Sequence, residues 1–162
     1  MTRAAKLPDI GAVLAPLLER VPPEQQPLLI ALAERMAADR YRGWASAADP
    51  ALEARLLACA EREEEIAGLV EGLYPEASAA QAKMMEQNPE LNELNRSLFA
   101  PLAVEDQYTL QASGERLGAA TWRSFARQDP GSERSEVFGA CAELEEANAR
   151  VLEAILGGAG EV

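Results

Sequence analysis

Apolar positions fall at helical spacing along almost the whole chain. Ile10, Val13, Leu14, Leu17, Leu18 and Val21 form an i, i+3, i+4, i+7 stripe that predicts a short amphipathic helix over 9–21. Val21-Pro-Pro-Glu24 breaks this stripe, and prolines there suit the first turn of a second helix, predicted from about residue 23 to residue 47. Asp49 before Pro50 reads as an N-cap and first helical residue, opening a third helix that reaches about residue 74. The texture then changes. Pro75, Ser78, Asn88-Pro89, Asn92 and Asn95 predict short helical pieces within a long connection. Another long helix is predicted over 103–127, and Asp129-Pro130 opens the last one, over 129–156. Gly157, Gly158 and Gly160 are expected to end it, leaving 157–162 as a tail. No stretch alternates apolar and polar residues long enough to make a strand, so the class is all-α.

Element order then sets the architecture. Residues 1–22 form a leading short helix, and residues 23–156 form one domain of two hairpins, 23–74 and 103–156, joined by a crossover at 75–102. Short loops make antiparallel hairpins, and a connection of that length can run the length of a bundle, which gives a four-helix bundle with one long crossover connection. The 162 residues suit a single core of fair size. A formal net charge of −12 repels phosphate backbones and anionic lipid heads, so neither nucleic acid nor a membrane surface is an expected partner. No apolar run is long enough to span a bilayer, and the N-terminus lacks the apolar core of a secretory signal, so the expected location is cytoplasmic. Histidine is absent from the sequence, which excludes Ser-His-Asp and Cys-His catalysis and any imidazole-bearing metal site. Cys59 and Cys141 are too few for a disulfide framework.

Self-comparison shows a repeat. The segment Glu34-Arg-Met-Ala-Ala-Asp-Arg-Tyr-Arg-Gly-Trp-Ala45 aligns with Glu115-Arg-Leu-Gly-Ala-Ala-Thr-Trp-Arg-Ser-Phe-Ala126 at an offset of 81. Asp49-Pro50 aligns with Asp129-Pro130 at an offset of 80, and Ala58-Cys-Ala-Glu-Arg-Glu63 with Ala140-Cys-Ala-Glu-Leu-Glu145 at an offset of 82. Three patches in one order indicate a duplicated hairpin related by a pseudo-two-fold axis.

The repeat picks out four glutamates. Glu63 shares a helical face with Leu56, Cys59, Ala60, Ile66, Ala67 and Val70; Glu145 has Phe138, Cys141, Ala142, Asn148, Ala149 and Leu152 at the same offsets. Glu34 lies with Ile30, Ala31, Ala37, Ala38 and Tyr41, and Glu115 with Tyr108, Ala112, Gly118, Ala119 and Trp122. Each long helix thus sends one glutamate into its own apolar face, while the rest of the Glu61–Glu65 run is a solvated face. An unpaired buried carboxylate costs several kcal/mol, so protons, arginines such as Arg35 and Arg116, or divalent metal must neutralise these four. Two divalent ions would match them in charge. Any single glutamate reads more readily as an edge residue reaching solvent; four at repeat-equivalent positions favour the interior.

These residues resemble the rubrerythrin and ferritin-like di-iron family. The spacing from Glu34 to Tyr41 and the segment Ala60-Glu-Arg-Glu63-Glu-Glu-Ile66-Ala67 carry the likeness, which covers roughly residues 23–156. It implies a ferritin-like fold with Glu34, Glu63, Glu115 and Glu145 as ligands of an iron or manganese pair. Where the family places histidine, this chain has Ile66 in one half and Asn148 in the other, and only the Asn148 carbonyl can ligate, as a weak hard-cation donor. Two readings follow: a carboxylate-only metal-binding protein, or a metal-free bundle acting as a structural or interaction module. Four costly carboxylates tip the balance to metal. Tyr41 and Trp122 are repeat-equivalent and are expected chiefly to pack the core, with a hydrogen bond to a carboxylate or a redox role as the alternative. The two cysteines would lie ~12 Å apart along the bundle axis, too far for a disulfide, and are expected to be buried thiols. The 9–21 helix and Met84-Met85 offer apolar surface that either covers the bundle or joins a homodimer or other protein partner. Neither substrate nor reaction is legible.

Overall fold

A computed structural model describes residues 6–158. All regular structure among these residues is helical. Six α-helices follow one another: α1 (Ile10–Glu19), α2 (Gln26–Ser46), α3 (Pro50–Glu71), α4 (Ala77–Gln87), α5 (Val104–Ala126) and α6 (Glu133–Gly158). Between α4 and α5 the crossover continues as a 3₁₀ turn, Pro89–Glu93, and a π turn, Asn95–Phe99. The expected N-terminal signal-free segment falls mainly on residues 1–5, which lie outside the described residues, as does the tail from 159 onward.

Caps explain most of the boundaries. Asp9 accepts from the Ala12 backbone N–H at 3.1 Å and starts α1; Asp49 accepts from Leu52 at 3.0 Å and starts α3, with Pro50 at the first helical position. The last helix departs from expectation. Gly131 takes a φ of +83°, so the chain turns beyond Asp129-Pro130 and Ser132 becomes the cap, its hydroxyl accepting from Ser135 N–H at 3.1 Å. Hence α6 starts at Glu133 rather than near residue 129. It also runs through Gly157 and Gly158, which were expected to stop it.

α2 packs along α3, α5 along α6, and the two hairpins meet where α3 lies against α6. Ion pairs record the register. Arg35 bridges Glu64 and Glu71, and Arg42 meets Glu64 at 2.9 Å, between α2 and α3. Arg116 meets Glu153 at 2.8 Å, and Arg123 meets Glu146 at 2.7 Å, between α5 and α6. In each hairpin a seven-residue step forward on the first helix answers a seven-residue step back on the second, so the helices are antiparallel. Arg35 and Arg116, offered by the sequence as one possible source of counter-charge for the inner glutamates, reach outward to rim carboxylates instead.

The core has two layers either side of the glutamates. One holds Tyr41, Trp44, Leu56, Cys59, Tyr108 and Leu152; the other holds Ile66, Val70, Trp122, Phe138 and Cys141. The cysteines, one in each layer, are free and buried, and burial pushes both thiols up to about 12. A third cluster joins Leu17 and Val21 to Leu28, Leu29, Met84 and Leu91. The α1 stripe and Met84 are therefore consumed in covering one side of the molecule. No helix among the described residues is long and apolar enough to cross a membrane.

Candidate metal centre

Each of the four longest helices delivers one glutamate to the interior, and all four are buried: Glu34 is 8% exposed, Glu63 0%, Glu115 1% and Glu145 2%. The placement follows from the periodicity, since each sits on the face that buries its own helix. One oxygen from each of Glu34, Glu63 and Glu145 lies within 4.8 Å of the others. Glu115 is adjacent but stands outside that group.

Four neutral side chains donate to these carboxylates. Asn148 donates its amide N–H to Glu63 Oε1 at 2.6 Å. Tyr41 and Gln111 both donate to Glu115 Oε1 at 2.7 Å, and the Trp122 indole N–H donates to Glu145 Oε1 at 2.9 Å. Tyr41 and Trp122 thus pack the core, as expected, and also hold one carboxylate each. The second oxygens of Glu63 and Glu115 are buried and receive no hydrogen bond. Buried acceptors without donors are rare because each forfeits its hydration with no return.

Asn148 takes a different part from the one its position implied. Its carbonyl oxygen accepts from Arg62 at 3.2 Å, and its amide also donates to the Cys59 carbonyl. It gives the centre a donor, not a ligand oxygen. At the equivalent place in the other half, Ile66 is buried and contributes only packing.

Electrostatics reflect this crowding. Burial pushes the Glu63 and Glu145 carboxyls well above the usual carboxylate range, and the neighbouring carboxylates push in the same direction. Burial likewise raises Glu34. Tyr41 is raised well above an ordinary phenol, first by burial and then by the Glu115 charge, so it remains a donor. Arg40 brings a positive charge to the cluster. Burial lowers it to about 10 against the pull of Glu63, Glu115 and Glu34, so it stays charged at neutral pH. Its guanidinium donates to Gln111 Oε1 at 2.5 Å and lies over the Phe99 ring, 3.7 Å from the centroid.

Gly118 makes room for the arrangement. A Cβ there would stand 2.7 Å from the Glu145 Cδ and closer still to Oε1, so only glycine lets that carboxylate lie against α5. Beside it a cavity of about 230 Å³ separates α2 from α5 beneath α1 and the 91–99 segment. Leu14, Leu17, Leu18, Leu29, Leu98 and Phe99 are among its apolar lining; Glu34, Glu115, Glu145, Arg40 and Gln111 contribute polar lining. Leu117, 40% exposed, stands at its outer edge.

Arg40, Gln111 and the cavity were missed in the sequence. Gln111 had a signal, one turn before Glu115 on the same face. Arg40 had none, because it is off the Glu34 stripe and reaches the centre through its long side chain. No family model, curated protein or solved structure matches the chain.

Proposed function

We propose that this chain is a divergent ferritin-like protein, built from a duplicated hairpin, that holds a divalent metal at a carboxylate-only site. The observation that carries this reading is the trio of oxygens from Glu34, Glu63 and Glu145 within 4.8 Å of one another. Two oxygens on one hard cation, each bonded at about 2.1–2.4 Å, can be no farther apart than about this. The undonated second oxygen of Glu63 adds a buried acceptor that protein groups leave unsatisfied. Oxygen-only donors suit manganese, magnesium, calcium or iron rather than softer ions. Glu34, Glu63 and Glu145 would hold the ion, with Glu115 beside them; a bound ion supplies counter-charge and, if it is iron or manganese, one-electron chemistry. The trio fits one ion better than the pair that the family likeness implied.

Support for duplication lies in the rim. Arg35, Arg42, Glu64 and Glu71 in the first hairpin correspond to Arg116, Arg123, Glu146 and Glu153 in the second, at the sequence offsets of 81 and 82. Surface pairs of this kind contribute little stability, about 0–1 kcal/mol each. Their recurrence bears on ancestry more than on energy.

A second reading has its own observation. Tyr41, Gln111, Trp122 and Asn148 already donate to three of the carboxylates. With their pKa values raised, the glutamates would then share protons in a metal-free structural or interaction module.

Titrating metal-stripped protein with Mn²⁺ and anaerobic Fe²⁺ separates the two. The metal reading expects about one ion per chain and a rise in Tm; an ion at a hundred times its Kd stabilises by about 2.7 kcal/mol. Absence of saturable binding by calorimetry, with Tm unmoved at millimolar metal, would leave the metal-free module.

A further inference from the structure

Two arginines reach the centre at one remove, each through an amide. Arg40 donates to Gln111 Oε1 at 2.5 Å, and Gln111 Nε2 donates to Glu115 Oε1 at 2.7 Å. Arg62 donates to Asn148 Oδ1 at 3.2 Å, and Asn148 Nδ2 donates to Glu63 Oε1 at 2.6 Å. A guanidinium has donors only, so it takes the amide oxygen and leaves the amide N–H groups to face the carboxylate. The pattern is one-sided. Both arginines come from the first hairpin and both amides from the second. At the offsets of 81 and 82, Arg40 and Arg62 align with Thr121 and Leu144, while Gln111 and Asn148 align with Ile30 and Ile66.

The carboxylates keep the two-fold relation that these relays break. Exchanging Glu34 with Glu115 and Glu63 with Glu145 turns the trio Glu34, Glu63, Glu145 into Glu115, Glu145, Glu63, a second trio that shares two members. Glu115 lies beside both Glu63 and Glu145, is 1% exposed, and keeps one buried oxygen without a donor. We propose that the two relays close this second cation site, so that the centre holds one divalent ion where the four carboxylates alone would hold two. That stoichiometry rests on the metal reading and the duplication proposed above. Guanidinium groups keep their charge across the working pH range, so Arg40 and Arg62 together bring as much charge as one divalent ion. With one bound ion they balance four ionised carboxylates. A second ion would leave excess positive charge inside the bundle, where uncompensated charge is strongly disfavoured. The relay also spends Glu115 Oε1 on Gln111 alongside Tyr41, so only the other oxygen remains to ligate.

Mn²⁺ titrated into metal-stripped protein, followed by calorimetry and electron paramagnetic resonance, counts the ions and reports whether two are spin-coupled neighbours. The unmutated chain is expected to saturate at one ion, with the spectrum of isolated Mn²⁺. Arg40→Met/Arg62→Met is expected to take two ions and give a spin-coupled spectrum. Gln111→Glu/Asn148→Asp keeps both arginines but cancels their charge with new carboxylates, and is expected to take two as well; it carries the test if loss of the arginines prevents folding. Arg40→Lys/Arg62→Lys keeps the charge and is expected to stay at one. Two coupled ions in the unmutated chain, or a single ion in the charge-cancelled variants, would overturn closure by the relays. Two ions in the lysine variant would overturn its basis in charge. No ion in the unmutated chain would instead overturn the metal reading itself, so the two failures are told apart.

Discussion

Glu63 has no exposed surface, one oxygen held by Asn148, and the other undonated. Ionised and without a counter-ion it is a net burden on the fold. Glu63→Gln keeps the shape, keeps the acceptor that Asn148 uses, and adds a donor for a neighbouring carboxylate. The metal-free variant is therefore expected to melt higher than the parent at pH 8, by calorimetry, while its Mn²⁺ affinity falls at least ten-fold. A lower Tm would mean that the Glu63 charge is compensated in the parent protein. Gly118 tests the opposite face of the centre. Gly118→Ala puts a methyl where the Glu145 carboxylate lies and drives that group off the Trp122 indole. Overpacking of this kind costs about 1–3 kcal/mol, and the lost hydrogen bond is expected to show as a change in indole absorption and emission.

Helices were legible in this chain wherever caps and apolar stripes agreed. Asp49-Pro50 marked its helix start to the residue, whereas Asp129-Pro130, the same dipeptide, did not, because Gly131 follows it and admits a positive φ that diverts the chain. The four glutamates were legible for the same reason as the helices, since inward placement is periodicity. Their partners were less so: a hydrogen bond between helices depends on rotation and depth, which spacing on one helix does not carry. Asn148 shows this best, correctly placed on the stripe yet with its oxygen drawn away by Arg62 from the neighbouring helix. The two aspartate caps serve elements of unlike depth. Asp9→Ala removes the start of α1, whose one buried residue is Leu17; it is expected to raise amide exchange in residues 10–19 with little change in global melting. Asp49→Ala removes the cap of α3, whose inner face is buried from Leu56 to Val70, and is expected to lower global stability by ~1 kcal/mol.

For the whole molecule, the raised carboxyls fix how stability responds to pH. Glu34, Glu63 and Glu145 hold protons in the folded state at pH values where the unfolded chain has released them. Their contribution is fully present below the ordinary carboxylate pKa and is lost as pH rises toward the folded-state values. Metal-free protein is therefore expected to melt higher near pH 5 than near pH 8, with added Mn²⁺ narrowing the difference; a Tm that climbs steadily from pH 5 to 8 without metal would contradict it. The layout of the centre also bears on the folding pathway. Each hairpin is a local structure with a loop of a few residues and can form early. The four carboxylates, two from each hairpin, lose water only when α3 closes on α6. Their desolvation therefore loads onto the docking step and not onto hairpin formation. A cation or a proton that relieves it should steepen the late part of folding: in stopped-flow experiments, metal or mild acid is expected to change the docking and undocking rates while leaving the early helical phase untouched.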